Sequence, residues 1–393
     1  MTRAWQMGLS ILVAAATLPG CDIIRGVARG EVSLPRRIDF EPAMLERLTL
    51  PAGFEVEVFA EGLGNVRNMA FAPGGIMYAT RRKEGEVIRL RDADGDGRAE
   101  APTVVASGLG QVNGLAVRDG KLYLAPPTQV LVATIESDGA LGPLTPFIDG
   151  LPAGQQHPNR TIAFGPDGAF YLTVGSSCND CPETDPRYAT IMRANADGSD
   201  PQILARGLRN TIGFDWHPET GDLWGMDHGS DWRGPDSPPE ELNRLIAGGH
   251  YGWPFCYGTQ KVDPQTTHAP EGRTREAFCA ETVAPAMTYQ AHSAPLDLVF
   301  YQGAQYPADY TGDAFVSFHG SWNRNPPTGY KVVRIRYEAG WPVRFQDFLT
   351  GFLSEDGETQ FGRPAGLVVG PDGALYVADD ANGVIYRVRY TGG

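Results

Sequence analysis

One strand-turn-strand signature recurs about six times along this chain, and that repetition constrains the fold more than any other feature. The unit reads apolar, x, Pro, x-Gly, x, apolar, Tyr or Trp, apolar. It stands as FAPGGIMYAT (71–80), AVRDGKLYLA (116–125), FGPDGAFYLTVG (164–175), DWHPETGDLWGMD (215–227) and VVGPDGALYVADD (368–380). A degenerate sixth copy, VFYQGAQYPADYTGDAFVSFHG (299–320), carries an insertion in its turn. Each copy sets a Gly-rich turn between two short aromatic and β-branched runs, which is a hairpin signal. The spacing, from about the mid-forties of residues upward, is the period of a four-stranded blade. A single hairpin cannot bury both of its faces, whereas radial stacking can. The expected architecture is therefore all-β, a six-bladed β-propeller, in preference to a β-sandwich or two smaller barrels. GFEVEVFAEGL (53–63) alternates as a strand and is expected to join the blade containing GVIYRVRY (383–390), closing the ring. Helical patterning is confined to Pro42–Leu48 and Glu240–Ile246.

Two stretches fall outside the repeat: residues 176–190, and a long insertion over 228–295 rich in Pro, Gly, His and Trp. Long loops on a rigid scaffold are where sites usually sit. The formal net charge of -14, with no basic block, argues against nucleic acid or an anionic membrane surface as partner.

The N-terminus reads as an export signal. Arg3 precedes an apolar run, Met7–Thr17, too short to span a bilayer as a helix. Leu18-Pro19-Gly20-Cys21 then resembles a lipoprotein cleavage box with Cys21 as the lipidated residue, the alternative being an ordinary secretory signal. The domain plan is a lipoprotein signal peptide over 1–20, a loosely structured tether over 21–50 and the propeller over 51–393. The protein is expected in the periplasm, touching a membrane only through its lipid anchor, with Asp22 pointing to the inner membrane. The four cysteines besides Cys21 suit an oxidising compartment: Cys178 with Cys181, and Cys256 with Cys279 by default. The rival for Cys178 and Cys181, half of a zinc site, lacks a second ligand pair.

Asp92, Asp94 and Asp96 form a DxDxDG turn that is either a structural Ca²⁺ site or a solvated acidic turn. It is not an EF-hand, because Thr103 stands where the loop-closing Glu belongs. His157, Arg209-Asn210 and Arg363 each stand just ahead of a repeat hairpin, and Arg324 follows His319 in HGSWNR. In a propeller such positions converge on one end of the channel. A cationic, hydrogen-bonding funnel there suits an anionic, planar polycarboxylate.

At these residues the sequence resembles the pyrroloquinoline quinone (PQQ)-dependent sugar dehydrogenases, the glucose/sorbosone dehydrogenase family, over nearly all of residues 50–390. The strings that carry the resemblance are His157 ahead of GPDG, RGLRNTIGF (206–214), EELNRLIAGGHYGWP (240–254), AHSAPL (291–296), HGSWNR (319–324) and GRPAGLVVGPDG (362–373). The resemblance implies PQQ and Ca²⁺ as cofactors. It implies His157 as the base taking the sugar's hydroxyl proton while hydride passes to PQQ. Arg209 and Asn210 would bind and polarise the quinone, and Arg363 would pair with a cofactor carboxylate. Gln111, His292, His319 and Arg324 would be further cofactor contacts. The backbone carbonyls of Gly229 and Ser230 would hold the cofactor's Ca²⁺, a Lewis acid on the quinone oxygens. Electrons would pass on to a quinone or a cytochrome-type carrier.

The sequence also departs from the family's glucose-oxidising members. Ser176 stands where they place an Asp to orient the base, so orientation of His157 is expected from Asp180 or Glu183. Residues around His319 replace their Lys, and Gly229-Ser230 replaces their Gly-Pro. These traits resemble the sorbosone-dehydrogenase-like branch. The rival functions are a Ca²⁺-dependent lactonase-type hydrolase and a lipid-anchored binding propeller without chemistry.

Overall fold

The computed structural model describes residues 32–153 and 155–392; the expected signal peptide and Cys21 lie outside them. Six four-stranded antiparallel sheets follow one another along the chain. Blade 1 comprises Val66–Ala72, Ile76–Arg81, Glu86–Leu90 and Thr103–Ala106. Blade 2 comprises Gly114–Arg118, Lys121–Ala125, Val130–Thr134 and Thr145–Ile148. Blade 3 comprises Ile162–Phe164, Phe170–Val174, Thr190–Ala194 and Gln202–Arg206. Blade 4 comprises Phe214–Trp216, Leu223–Asp227, Glu240–Arg244 and Met287–Tyr289. Blade 5 comprises Pro295–Phe300, Ala314–Phe318, Lys331–Glu338 and Trp341–Leu349. Blade 6 takes Pro364–Val369, Leu375–Asp379 and Val384–Tyr390 from the C-terminal end and Phe54–Ala60 as its outermost strand. That last pairing, with Phe54 opposite Tyr390 and Val58 opposite Tyr386, closes the ring as expected.

The aromatic and aliphatic residues of the repeat meet between blades. Apolar clusters fill each of the six seams, for example Tyr123 and Phe170 between blades 2 and 3, or Trp224 and Phe300 between blades 4 and 5. Each blade thus buries both faces against its neighbours, which none could do alone. At the centre the inner strands approach so closely that some positions admit no side chain. A Cβ at Gly213 would lie 2.4 Å from the Leu298 nitrogen, and one at Gly366 would lie 2.3 Å from the Arg67 carbonyl.

Three local expectations change. Glu240–Arg244 is a strand, because pairing with Leu223–Asp227 and Met287–Tyr289 overrides the local preference of Glu and Leu for helix. A short helix unmarked by sequence periodicity, Arg275–Cys279, is capped by the Thr274 hydroxyl accepting the Ala277 N–H at 3.2 Å. Residues 32–50, expected as part of a loose tether, lie on the propeller. Arg36–Arg37 pairs in parallel with Thr359–Gln360, and Phe40, Met44 and Leu48 pack onto the cluster between blades 5 and 6. Their apolar side chains cover that seam, and this ordering is what a free tether would forgo.

Both expected disulfides are present. Cys178–Cys181 spans 6.1 Å and Cys256–Cys279 spans 5.8 Å between Cα atoms.

Candidate active site

The loops that enter the inner strands meet at one end of the ring, around a cavity enclosing about 800 Å³ of unfilled space, part of it open to solvent. Its wall includes His157, Arg209, Asn210, His292, His319 and Arg363. These come from the entries of blades 3, 4, 5 and 6 and from the end of the second strand of blade 5, so the repeat carries them together.

The blade corners hold these side chains in place. Asp227, the last residue of the second strand of blade 4, accepts the backbone N–H groups of Arg209 (3.0 Å) and Asn210 (2.9 Å) and the Thr211 hydroxyl (2.8 Å). Asp379, at the same place in blade 6, accepts the Arg363 N–H at 2.8 Å. Burial pushes these two carboxyls up, to about 6 and about 7.

His157 is fixed by the residue standing where an Asp is absent. Its Nδ1 lies 2.8 Å from the Ser176 hydroxyl and 3.0 Å from the Ser176 carbonyl. The hydroxyl itself donates to the Cys178 carbonyl at 2.6 Å, so its lone pairs face the ring. Nδ1 therefore carries the proton and Nε2 carries the free lone pair. Burial, and after it Arg209 and His228, lowers the His157 pKa to about 2, so the ring stays neutral. The expected orienters serve elsewhere: Asp180 binds Arg233 and Thr266, and Glu183 accepts the Ser177 N–H and hydroxyl. Gly175 is required beside the imidazole, since a Cβ there would lie 2.6 Å from the His157 Cβ.

The cationic funnel is less cationic than a count of arginines implies, because burying a guanidinium is costly unless it is paired. Arg209 pairs with Asp231 at 2.9 Å and Arg67 with Asp380 at 2.6 Å. Asp380 also faces His319 Nε2 at 2.8 Å; burial raises this carboxyl, yet His319 and Arg67 hold it well below the usual range. Burial, then Arg363, lowers the His319 pKa to about 4. Arg363 differs. Its Nε and Nη2 donate to the carbonyls of His319 (3.0 Å) and Gly320 (2.7 Å), and its plane faces the Tyr330 ring. Among the described residues no carboxylate forms a direct ion pair with it, although Asp380 and Asp379 act on it from further off, so its guanidinium remains available to an anionic ligand.

The remaining sequence candidates sit further out. Gln111 accepts from Arg82 at 3.1 Å, and Arg82 donates to Asn159 on the cavity wall, so Gln111 belongs to the rim. Arg324 does not line the cavity; it clasps Asp236 at 2.8 Å and the Pro235 carbonyl, bracing the long insertion. His292 contributes to the wall while its Nε2 meets the Gly234 carbonyl at 2.8 Å. Gly229 lines the cavity, and its N–H donates to Glu240; Ser230 borders a smaller adjoining hollow. The carboxylates of Asp92, Asp94 and Asp96 converge within 4.8 Å of one another, do not line the cavity, and accept N–H groups of their own turn. Arg67, Asp231, Trp322 and Asn323 also line the wall, and Asp380 stands behind it, holding Arg67 and His319; none was signalled individually by the sequence, where the doubled acid of VADD (377–380) and the Asp after HGS (228–230) were the available cues.

A neutral imidazole, a guanidinium without a direct ion pair and two paired ones in one pocket match the donor set that an anionic tricarboxylate quinone needs. The comparisons agree with this fit. The sequence profile described as TrAA12-like matches residues 48–391, and the chain belongs to that family, the PQQ-dependent sugar dehydrogenase class that its motifs resemble. A protein of Borreliella burgdorferi without an assigned activity is 29% identical over 367 residues, 87% of this chain and 91% of its own. The pyrroloquinoline quinone-dependent sugar dehydrogenase of Hypocrea jecorina is 23% identical over 407 residues, covering 87% of this chain and 90% of that protein. The holo PQQ domain of pyranose dehydrogenase from Coprinopsis cinerea superposes with a TM-score of 0.74 at 23% identity, covering 87% of this chain and 97% of that one.

Proposed function

We propose that this protein oxidises an aldose or related sugar in this cavity, with PQQ and Ca²⁺ bound, and passes the electrons to a quinone or a periplasmic cytochrome-type carrier. The observation that carries the reading is the neutral His157, its Nδ1 committed to Ser176, on the same wall as Arg209 and Arg363. Bound PQQ supplies the hydride-accepting carbonyl, and Ca²⁺ supplies Lewis acidity on the quinone oxygens. Arg363, on the cavity wall without a direct ion pair, would pair with a cofactor carboxylate. Arg209 and Asn210, anchored through Asp227, would hydrogen-bond the quinone oxygens. His157 Nε2 takes the proton of the sugar hydroxyl as its C–H hydride departs, and the Ser176 acceptors stabilise the imidazolium through Nδ1–H. The Gly229-Ser230 segment is the candidate Ca²⁺ site.

The departures from the glucose-oxidising pattern favour a sugar other than glucose, as in the sorbosone-dehydrogenase-like branch. Cys21 is the proposed lipid anchor, placing the enzyme on the periplasmic side of a membrane, with Asp22 favouring the inner one. The test is dye reduction by the purified protein with PQQ and Ca²⁺ over a panel of sugars, with lactone hydrolysis assayed in parallel. Sugar-dependent, PQQ-dependent reduction supports the reading. Lactone hydrolysis that needs only Ca²⁺ overturns it.

A further inference from the structure

The loop between Cys178 and Cys181 lies outside the propeller repeat, yet it touches both halves of the site. The Asn179 side-chain oxygen accepts from Arg209 Nη2 and from the Asp231 N–H, each at 2.8 Å. The Asn179 carbonyl accepts from Arg209 Nε at 3.2 Å, the Ser230 hydroxyl at 3.3 Å and the Trp253 indole at 3.3 Å. The Asn179 amide donates to the Asp231 carbonyl at 3.1 Å. One residue earlier, the Cys178 carbonyl accepts the hydrogen bond of the Ser176 hydroxyl that orients His157. The base from blade 3 and the cation from blade 4 are thus both referenced to one short loop.

We propose that Asn179 is a positioning residue for the reaction, presented by the disulfide-closed loop Cys178–Cys181 so that one element fixes both Arg209 and, through Ser176, His157. The proposal rests on the reading of the cavity as the quinone site.

Three observations argue for positioning over plain stability. Asn179 is only half-buried and is held by polar contacts, so truncating it removes hydrogen bonds rather than apolar packing. It also provides an acceptor without charge. Asp231 already neutralises Arg209, and a second carboxylate there would turn the pair net negative towards an anionic cofactor. Finally, the loop is braced on both sides. The Cys178–Cys181 bond closes it, and Asp180 ties it to Thr266 at 3.0 Å and to Arg233, which in turn binds Asp263 at 2.8 Å. Groups that hold a ligand-binding residue in its orientation change affinity or turnover by about tenfold or more when removed.

The experiment uses the wild-type chain, Asn179→Ala, Asn179→Asp and the double variant Cys178→Ser/Cys181→Ser. PQQ is titrated with Ca²⁺ present, followed by fluorescence quenching, beside the thermal midpoint of each apo-protein and the kcat and KM of dye reduction. The expected result for Asn179→Ala is a PQQ Kd raised about tenfold and a kcat lowered about tenfold, with sugar KM unchanged and the apo midpoint little moved. Asn179→Asp should bind PQQ more weakly still, and the double serine variant should shift in the same direction as Asn179→Ala. A lowered midpoint with unaltered Kd and kcat in the folded fraction overturns the proposal, because that is the signature of a structural role. A double serine variant identical to wild type removes the disulfide from the account and overturns that half. Wild-type protein that binds no PQQ overturns the cavity reading and this proposal together, whereas wild-type binding with an unaltered Asn179→Ala overturns this proposal alone.

Discussion

His157 Nδ1 lies 2.8 Å from the Ser176 hydroxyl and 3.0 Å from the carbonyl of the same residue, so a serine orients the ring at the position where the sequence resemblance implies a carboxylate. The difference is chemical as well as geometric. A serine leaves the imidazolium without a compensating charge, and Arg209 nearby disfavours that charge further. Such a base is easily kept neutral and depends on an anionic ligand to accept a proton readily.

Ser176→Ala therefore gives a graded loss. The carbonyl acceptor survives and keeps the tautomer, so turnover should fall about tenfold while PQQ affinity stays unchanged. Steady-state kinetics beside a binding titration separate the two quantities.

Arg363 and Arg324 should behave oppositely. Arg363→Ala removes, among the described residues, the wall guanidinium without a direct carboxylate ion pair, and the PQQ Kd should rise about tenfold or more. Arg324→Ala removes a buried guanidinium that holds the Pro235 carbonyl and Asp236 away from the cavity, so it should lower the thermal midpoint and leave the Kd unchanged. Paired titrations and thermal melts check this.

The propeller and the convergence of its entry loops were legible because both follow from period. Any residue a fixed distance ahead of a repeat hairpin must reach the same end of the ring. What could not be read was pairing across blades. Nothing in the local sequence ties Arg67 of blade 1 to Asp380 at the end of blade 6's second strand, since that contact exists only once the ring is closed. The same holds for Glu240–Arg244, where a locally helical composition yields to two flanking strands. Arg324 was misplaced for the converse reason: HGSWNR reads as one motif, but His319 faces the cavity while Arg324 turns outward to the insertion.

Asp297 gives a pH signature. It accepts the N–H groups of Leu298 and of Leu367 in the next blade, and burial raises its pKa to about 7. A folded pKa above the unfolded 3.8 means that its contribution is fully present at low pH and is lost as pH rises through 7. Asn at this position can accept at only one oxygen. Asp297→Asn should be less stable than wild type at pH 5 but should lose stability less steeply between about pH 5 and 8. Denaturant melts over that range test the slope.

The most direct measurement is a single-turnover comparison of wild type and His157→Ala, each reconstituted with PQQ and Ca²⁺ and mixed with an oxidisable sugar. The account predicts equal PQQ binding, with the quinone absorbance bleaching rapidly in wild type and about a hundredfold or more slowly in His157→Ala. Equal rates of bleaching in the two proteins, or no PQQ binding by either, would contradict it.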